Sequence, residues 1–285
     1  MSPCGVGVDG AGALIVSACE FCGIYKILRN GTTTVVAGVI GICGTTDGIG
    51  SIARFYYPSS VATDAQQNVA YITDQGNSRI RAMDLLTYNV TTVTGSSANY
   101  REGAFSTALF NYCSGVIFRS TATGKVLYIT DNKNNRIRKA NFSSLLVSTV
   151  AIVPVPFYLD LSVDEVRLFV GSDNGAIFQV YLPNSSATIL AGADGVSGYV
   201  DAVGPAARFH AIHGVALNHD ESALFVGDWL NYVLRRIELS NRSVTTAAGT
   251  GAMATIEGGS VLSMCAKWLL SSNTNVVSNC NILGS

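Results

Sequence analysis

The side chains with chemistry to offer fall into four groups. The histidines are His210, His213 and His219. An imidazole can ligate a metal or act as a base, but metal ligands usually come from separated elements, and these three are bunched. Asp9, Asp64 and Asp160 close apolar stretches. Grouped, they would offer calcium the oxygen ligands it takes; singly, they are solvated turn carboxylates. Cysteines number seven, so at least one thiol has no partner within the chain. Cys19-x-x-Cys22 followed by Cys43 admits a Cys22–Cys43 disulfide, or a zinc site short of a fourth ligand. With no βαβ pattern around it, Cys19-x-x-Cys22 is not a redox motif. Cys4, Cys113 and Cys265 share one register and read as small buried apolar residues. The fourth group is five Asn-x-Ser/Thr sequons, at Asn30, Asn89, Asn141, Asn184 and Asn241. Neither a Gly-x-Ser-x-Gly elbow nor a phosphate-binding loop occurs. The sequence therefore nominates no catalytic residue, no metal ligand set and no resident cofactor beyond that calcium reading.

The elements that must hold these residues are short. Of the 285 residues, 48% are hydrophobic and 13% charged, with 18 Lys+Arg against 19 Asp+Glu. That balance argues against a broad cationic surface for nucleic acid or anionic lipid. The polar surface must come from Ser, Thr, Asn and the backbone, and 29 glycines announce many tight turns. No apolar run approaches the ~20 residues of a membrane helix, so no insertion into a membrane is expected within this chain. Met1-Ser2-Pro3-Cys4 opens without the basic and apolar regions of a signal peptide.

Self-similarity organises the chain. Asp47-Gly48, Glu102-Gly103, Asp201 and Glu257-Gly258 each open a loop that leads into an apolar strand. Tyr71-Ile-Thr-Asp74-Gln-Gly-Asn77-Ser-Arg79-Ile80-Arg81 recurs as Tyr128-Ile-Thr-Asp131-Asn-Lys-Asn134-Asn-Arg136-Ile137-Arg138, and more loosely as Phe225-Val-Gly-Asp228-Trp-Leu-Asn231-Tyr-Val233-Leu234-Arg235. Each unit closes on a Thr-rich strand, such as Val90–Gly95 or Val244–Gly249. Four short strands per unit, rich in Val, Ile, Thr, Tyr and Phe and separated by Gly, Asn and Asp, predict an all-β fold of four-stranded antiparallel β-propeller blades.

The Asp-x-x-Asn-x-Arg-Ile-Arg motif, set between a Tyr-Ile-Thr strand and a Val-Thr-Thr strand, resembles the NHL-repeat family of β-propellers. The match covers most of the chain and is strongest over Thr45–Gly95 and Glu102–Val150. The resemblance implies a fold and not a function, because that fold hosts enzymes, sensors and scaffolds. It implies one propeller domain over 1–285, with blades near 1–42, 43–98, 99–154, 155–196 and 197–253 and a partial blade at 254–285. In that last segment Cys265-Ala-Lys-Trp-Leu matches Cys4-Gly-Val-Gly-Val. A six-bladed ring with an incomplete last blade is expected, and with it a fragment of a longer protein.

Strand parity sorts the loops onto two ends of each blade. The Asp-x-x-Asn turns and the loops between blades share one end. There Asp74, Asn77, Asp131, Asn134, Asp228 and Asn231 read as turn keepers bonding nearby backbone N–H groups. Arg81, Arg138 and Arg235 read as partners of a neighbouring carboxylate. Arg54, Tyr56, Tyr112, Arg208, His210, Trp229 and Tyr232 form a candidate binding face at the same end, since aromatics beside arginines suit an interaction surface. Phe55, Phe110 and Phe209 have a competing role as plugs between blades. All five sequons fall at the other end, at the turn before the fourth strand.

The expected function is a non-catalytic module that binds a protein or small ligand on the Asp-x-x-Asn face. Its expected setting is a glycosylated, secreted or cell-surface protein. The alternative is a propeller hydrolase or lyase with a metal ion in its channel. A nucleic-acid scaffold rests only on Lys133, Arg136, Arg138 and Lys139, because phosphate contacts need Lys and Arg and the net charge is −1.

Overall fold

A computed structural model describes residues 2–121 and 124–251. Two compact units divide between Val150 and Ala151, and both are built from antiparallel propeller blades. In the first unit one sheet holds Pro3–Val8 (β1), Leu14–Ala18 (β2), Gly23–Ile27 (β3) and Thr33–Gly38 (β4), in that order. The next holds Gly48–Ile49 (β5), Pro58–Asp64 (β6), Val69–Asp74 (β7), Arg79–Asp84 (β8) and Asn89–Thr94 (β9), ordered β5-β9-β8-β7-β6. Gly103–Ala104 (β10), Cys113–Thr121 (β11), Gly124–Asp131 (β12), Arg136–Asn141 (β13) and Leu146–Ile152 (β14) repeat that pattern. In the second unit Pro156–Leu161 (β15), Arg167–Ser172 (β16), Ala176–Tyr181 (β17) and Ser186–Gly192 (β18) form one sheet. Ile212–Leu217 (β19), Ala223–Asp228 (β20), Val233–Glu238 (β21) and Val244–Ala248 (β22) form another. Among the described residues there are thus five blades; the partial sixth, with Cys265, lies outside them.

The strands form where β-branched and aromatic residues alternate, and the blades stack by burying both faces of their middle strands. Phe110, Cys113, Val116, Leu127 and Ile129 share one core cluster in the first unit, and Phe169, Phe209, Val215, Leu224 and Val226 share another in the second. Each inner strand carries a register shift, as between Pro58 and Val61 or Ile212 and Val215. In four of the five blades a glycine (Gly38, Gly95, Gly192 or Gly249) stands at the end of the fourth strand, where it crosses the turn between the second and third; in the third blade that strand ends on Ile152. At Gly95 φ is +88°, and an added Cβ would stand 2.4 Å from the Ser78 carbonyl oxygen; at Gly249 φ is +98°, with Tyr232 O at 2.5 Å. Only glycine fits there.

The turn motif works differently from its sequence reading. The three 3-10 turns after Asp74, Asp131 and Asp228 have no side-chain cap. Each aspartate instead accepts, at 2.7 Å, the backbone N–H of a residue far upstream: Tyr56, Asn111 and His210 respectively. Its other oxygen takes a buried guanidinium, from Arg81 at 2.6 Å, Arg138 at 2.6 Å and Arg235 at 2.8 Å. The asparagine three residues on ties the aspartate to the incoming loop, with Asn77 donating to Gly44 O and Asn231 to Gly198 O. The aspartates reach outward because the loop that enters the inner strand lies across the turn and presents its own unmet N–H there.

The arginine completes the clamp. Arg81 and Arg235 are 0% exposed and pair with a second carboxylate in the incoming loop, Asp47 at 2.5 Å and Asp201 at 2.6 Å. They also donate to the carbonyls of Thr46 and Arg54, and of Val200 and Arg208. Below each guanidinium lies a fully buried ring, Phe55, Phe110 or Phe209, at 4.9–5.2 Å from the ring centre. In the third blade Glu102 stands where the others have aspartate. Its Oε1 accepts the Thr149 N–H at 2.8 Å, and the Arg138 Nε is left without a partner. Burial pushes the carboxyls of Asp74, Asp131 and Asp228 up, against the pull of their asparagine, backbone and arginine partners.

The register places Ala18 and Tyr25 of the first blade where Asp74 and Arg81 stand in the second. Covalent bonds occupy that turn instead. Cys22, at φ 55° in the position of Ser78, is bonded to Cys43 in the loop leading to the second blade, with a Cα–Cα distance of 5.3 Å. Cys4, expected as a buried apolar residue, is bonded to Cys19, because the first residues of β1 lie against the end of β2. Cys113 alone among the described cysteines is free; it is fully buried, and burial raises its thiol well above the usual range.

Removing one partner of a buried ion pair strands the other charge. Arg81→Ala is therefore expected to lower the unfolding free energy by about 3–5 kcal/mol. Arg79→Ala, on the same strand but outside the clamp, should cost under ~1 kcal/mol. Denaturant unfolding of the two variants measures the contrast, and equal losses would remove the clamp's special status.

Candidate functional site

The end of the second unit that carries the clamp turns holds a stack of three rings. Phe157 sits in β15 at the register shift between Pro156 and Tyr158, and His213 sits in β19 at the shift between Ile212 and Val215. A bulge turns a side chain out of the regular alternation, and here it turns both rings to one side. The two planes lie 4.1 Å apart at their centroids and 2° from parallel. Trp229, the first residue of the 3-10 turn Trp229–Asn231, covers the other side of the imidazole at 4.4 Å and 7°. Asp173, just past β16, approaches the His213 Nε2 at 3.0 Å.

The clamp positions this stack. Asp228 holds the His210 N–H, the Trp229 N–H donates to Ala211 O, and the Leu230 N–H donates to His210 O. Ala211 takes a left-handed φ of 59° to make that crossing. The turn is thus fixed from both sides. Trp229 remains 38% exposed, Leu230 is exposed to the same extent, and His210 is exposed beside them. One indole face is spent on His213. The exposed remainder offers a flat apolar surface next to an imidazole and a carboxylate, suited to stacking a ring or an apolar side chain. Tyr232 closes the same turn at φ 54° and is half-buried.

Arg54 and Arg208 leave the expected contact set. Each folds its NH1 back onto its own 3-10 turn, Arg54 to Ser51 O and Ala53 O, Arg208 to Pro205 O and Ala207 O. The carbonyls at the end of such a turn have no partner within the turn itself, and the arginine that follows supplies one. In the first unit Tyr56 is 52% exposed against Gly76, and Tyr112 is half-buried under the Lys133 ammonium at 4.8 Å.

The basic group of the third blade separates. Arg138 is buried in the clamp, Arg136 donates to Asn134 O at 2.6 Å, and Lys139 lies over the Tyr128 ring. Lys133 alone of the four is exposed. Asp9 is paired with Lys26 at 2.9 Å and Asp64 with Lys125 at 2.7 Å. Burial pushes Asp9 up, but the Lys26 bond and the N–H groups of Ala13 and Ala11 outweigh it and hold the carboxyl below its usual range. Asp160 accepts the Leu217 N–H at 2.8 Å. Among the described residues no three His, Cys, Asp or Glu side chains group to hold a metal ion. His219 is exposed at the opposite end of its blade, in the turn between β19 and β20.

Sequence reasoning missed Phe157 and Asp173. The signal for both was register: they occupy in the fourth blade the positions that lead into and follow the motif strand. In a Trp268→Phe background, where Trp229 is the remaining tryptophan, His213→Ala is expected to shift tryptophan emission to the red and increase acrylamide quenching. Unchanged emission would show that no stack exists in solution.

No family model matches the chain. Human NHL repeat-containing protein 2 is 29% identical over 126 residues, which is 41% of this chain and 17% of the human protein. Its Bos taurus counterpart is 32% identical over 114 residues, 39% of this chain and 15% of the bovine protein. The matched segment is thus a small part of those relatives. Among solved structures, the nidogen/laminin complex aligns with a TM-score of 0.61 at 12% identity, covering 85% of this chain and 79% of the other. Virginiamycin B lyase from Staphylococcus aureus aligns with a TM-score of 0.55 at 14% identity, covering 86% and 69%.

Proposed function

We propose that this chain, an NHL-repeat β-propeller, is a non-catalytic binding module. Its contact surface is the end of the blades that carries the clamp turns. The single observation that carries the reading is the exposed Trp229, stacked on His213 and Phe157 and fixed by the Asp228–Arg235 clamp. A large apolar side chain held open by a buried ion pair has the rigidity of an interface anchor. Tyr56 and Tyr112 supply the corresponding surface in the first unit, with Leu230 and His210 around Trp229. The partner is a protein segment or small ligand with a ring or apolar group to stack. The Cys4–Cys19 and Cys22–Cys43 bonds support a secreted or cell-surface setting, where disulfides persist. A ring of six blades is part of the proposal, the sixth drawn from 254–285, where Cys265 repeats the register of Cys4.

Photo-crosslinking residues placed at His210 and Leu230 test the face in the second unit. Adducts to a common partner are expected from these positions and not from Val163 or Tyr181, which are exposed at the opposite end of the fourth blade. Trp229→Ala should then weaken that partner about thirtyfold, the ~2 kcal/mol of an aromatic hot spot. Adducts only from the other end, or unchanged affinity, would reject the face.

A second reading, a propeller hydrolase or lyase, draws on one observation. Asp173 aligns the His213 imidazole as a carboxylate aligns a general base, and a lyase shares the fold. The donor set at His213 does not fit a metal ion, since among the described residues only Asp173 stands with it. Elemental analysis of the purified chain discriminates: on the binding reading no divalent metal survives dialysis at one per chain.

A further inference from the structure

We infer that Asn30, Asn184 and Asn241 are acceptors for N-linked oligosaccharide, carried at the end of their blades opposite the clamp turns. All three lie in the turn between third and fourth strands, clear of both, and all are exposed. They share one conformation. The Asn Oδ1 accepts the backbone N–H of the residue two positions on: Thr32 at 3.0 Å, Ser186 at 3.0 Å and Ser243 at 2.9 Å. That residue is also the one whose hydroxyl completes the sequon. Because Oδ1 is engaged by the turn, the amide plane is fixed, and Nδ2 has no partner among the described residues. A sugar at Nδ2 would extend into solvent without breaking a strand pair.

The other two sequons differ. Asn89 is the first residue of β9, half-buried and paired in register with Ile49 of β5. Asn141 is the last residue of β13, half-buried and paired with Val126, and its Oδ1 takes two N–H groups, from Ser143 and Ser144. Sequence spacing treats the five alike; the structure separates three turn positions from two strand positions. A second observation points to the same compartment, since the first blade is closed by two disulfides.

The transfer is a substitution at the sugar's anomeric carbon. The Asn Nδ2 forms a bond to C1 of the oligosaccharide of a lipid-diphosphate donor. The C1–O bond to the diphosphate breaks, the lipid diphosphate leaves, and Nδ2 gives up one proton. Nothing is oxidised or reduced.

The test is the full chain directed into the secretory pathway of a eukaryotic cell, released by an N-glycosidase in heavy-oxygen water and mapped by mass spectrometry. Enzymatic release converts a glycosylated Asn to a heavy-oxygen Asp. The expected result is conversion at Asn30, Asn184 and Asn241, with Asn89 and Asn141 at lower occupancy. Ser243→Ala should remove the label at Asn241 alone, and Ser243→Thr should restore it, while both keep the backbone N–H that forms the turn. Secreted, folded protein with the three asparagines unmodified would overturn the inference and leave them as turn formers only. Equal occupancy at all five would overturn the distinction between turn and strand positions. Because the route is imposed, either failure bears on the sequons and leaves the binding face untouched.

Discussion

The structure depends on a guanidinium held where water cannot reach it. Arg81, Arg138 and Arg235 are each 0% exposed, and an unpaired charge in that setting would cost several kcal/mol. The surroundings offset the cost in kind. A carboxylate stands on one side, carbonyls of the incoming loop stand on another, and a phenylalanine ring lies beneath. These partners come from three segments far apart in sequence. The arginine is therefore less a contact within a blade than the point where loop, turn and strand are forced into one geometry. The first blade shows what the clamp supplies, because without Asp or Arg at those positions its turn is tied by two disulfides. The fourth blade has Ser172 in the aspartate's place, bonded to Pro154 O, and a turn one residue shorter.

The candidate site inherits its rigidity from this arrangement. Trp229 belongs to the turn that Asp228 anchors, and its indole rests on a histidine from the strand that the same loop enters. A surface tryptophan on a free loop would lose rotamer freedom on binding, and that loss opposes affinity. Here much of it is already spent in folding. The bulges in β15 and β19 do the rest, because they aim Phe157 and His213 at each other across two blades. The stack thus needs the clamp and the bulges together.

Much of the fold was legible because the repeat writes it several times. Strand, turn and closing glycine follow from Tyr71–Gly95 alone, and the second copy at Tyr128 fixes the period. The clamp was half legible. Asp74, Asn77 and Arg81 stand out as a motif, but Asp47, which completes it, lies 34 residues before Arg81, and no local rule joins them. Arg54 and Arg208 misled for a related reason. Their register, just before a buried phenylalanine, places them at the correct end of the blade, yet carbonyls one to three residues away compete for the guanidinium and win. Phe157, and the side to which His213 turns, were hidden by the bulges, since simple alternation assigns the wrong face to any residue at a register shift. Cys4 was misread as apolar filler because the register that aligns it with Cys113 says nothing of what crosses from the neighbouring strand.

The clamp turn and the turn between third and fourth strands differ in how their side-chain hydrogen bonds are made, and that difference decides what each can carry. At the clamp end the side-chain bonds run 18 residues from Tyr56 to Asp74 and 33 from Asn77 to Gly44. A change there disturbs several segments together. At the opposite end, in the turn between third and fourth strands, the asparagine bonds are local, two residues from Asn30 to Thr32 and from Asn241 to Ser243, while pairs such as Asp64–Lys125 tie other parts of that end over longer spans. A turn closed by its own asparagine leaves Nδ2 free for a bulky addition, even at Asn241, where the neighbouring Arg242 carbonyl accepts the Gly204 N–H. A surface that must keep a fixed shape toward a partner belongs where bonds are long-range, and a surface that must accept bulk belongs where they are short. The placement of Trp229 at one end and the free sequons at the other follows that division.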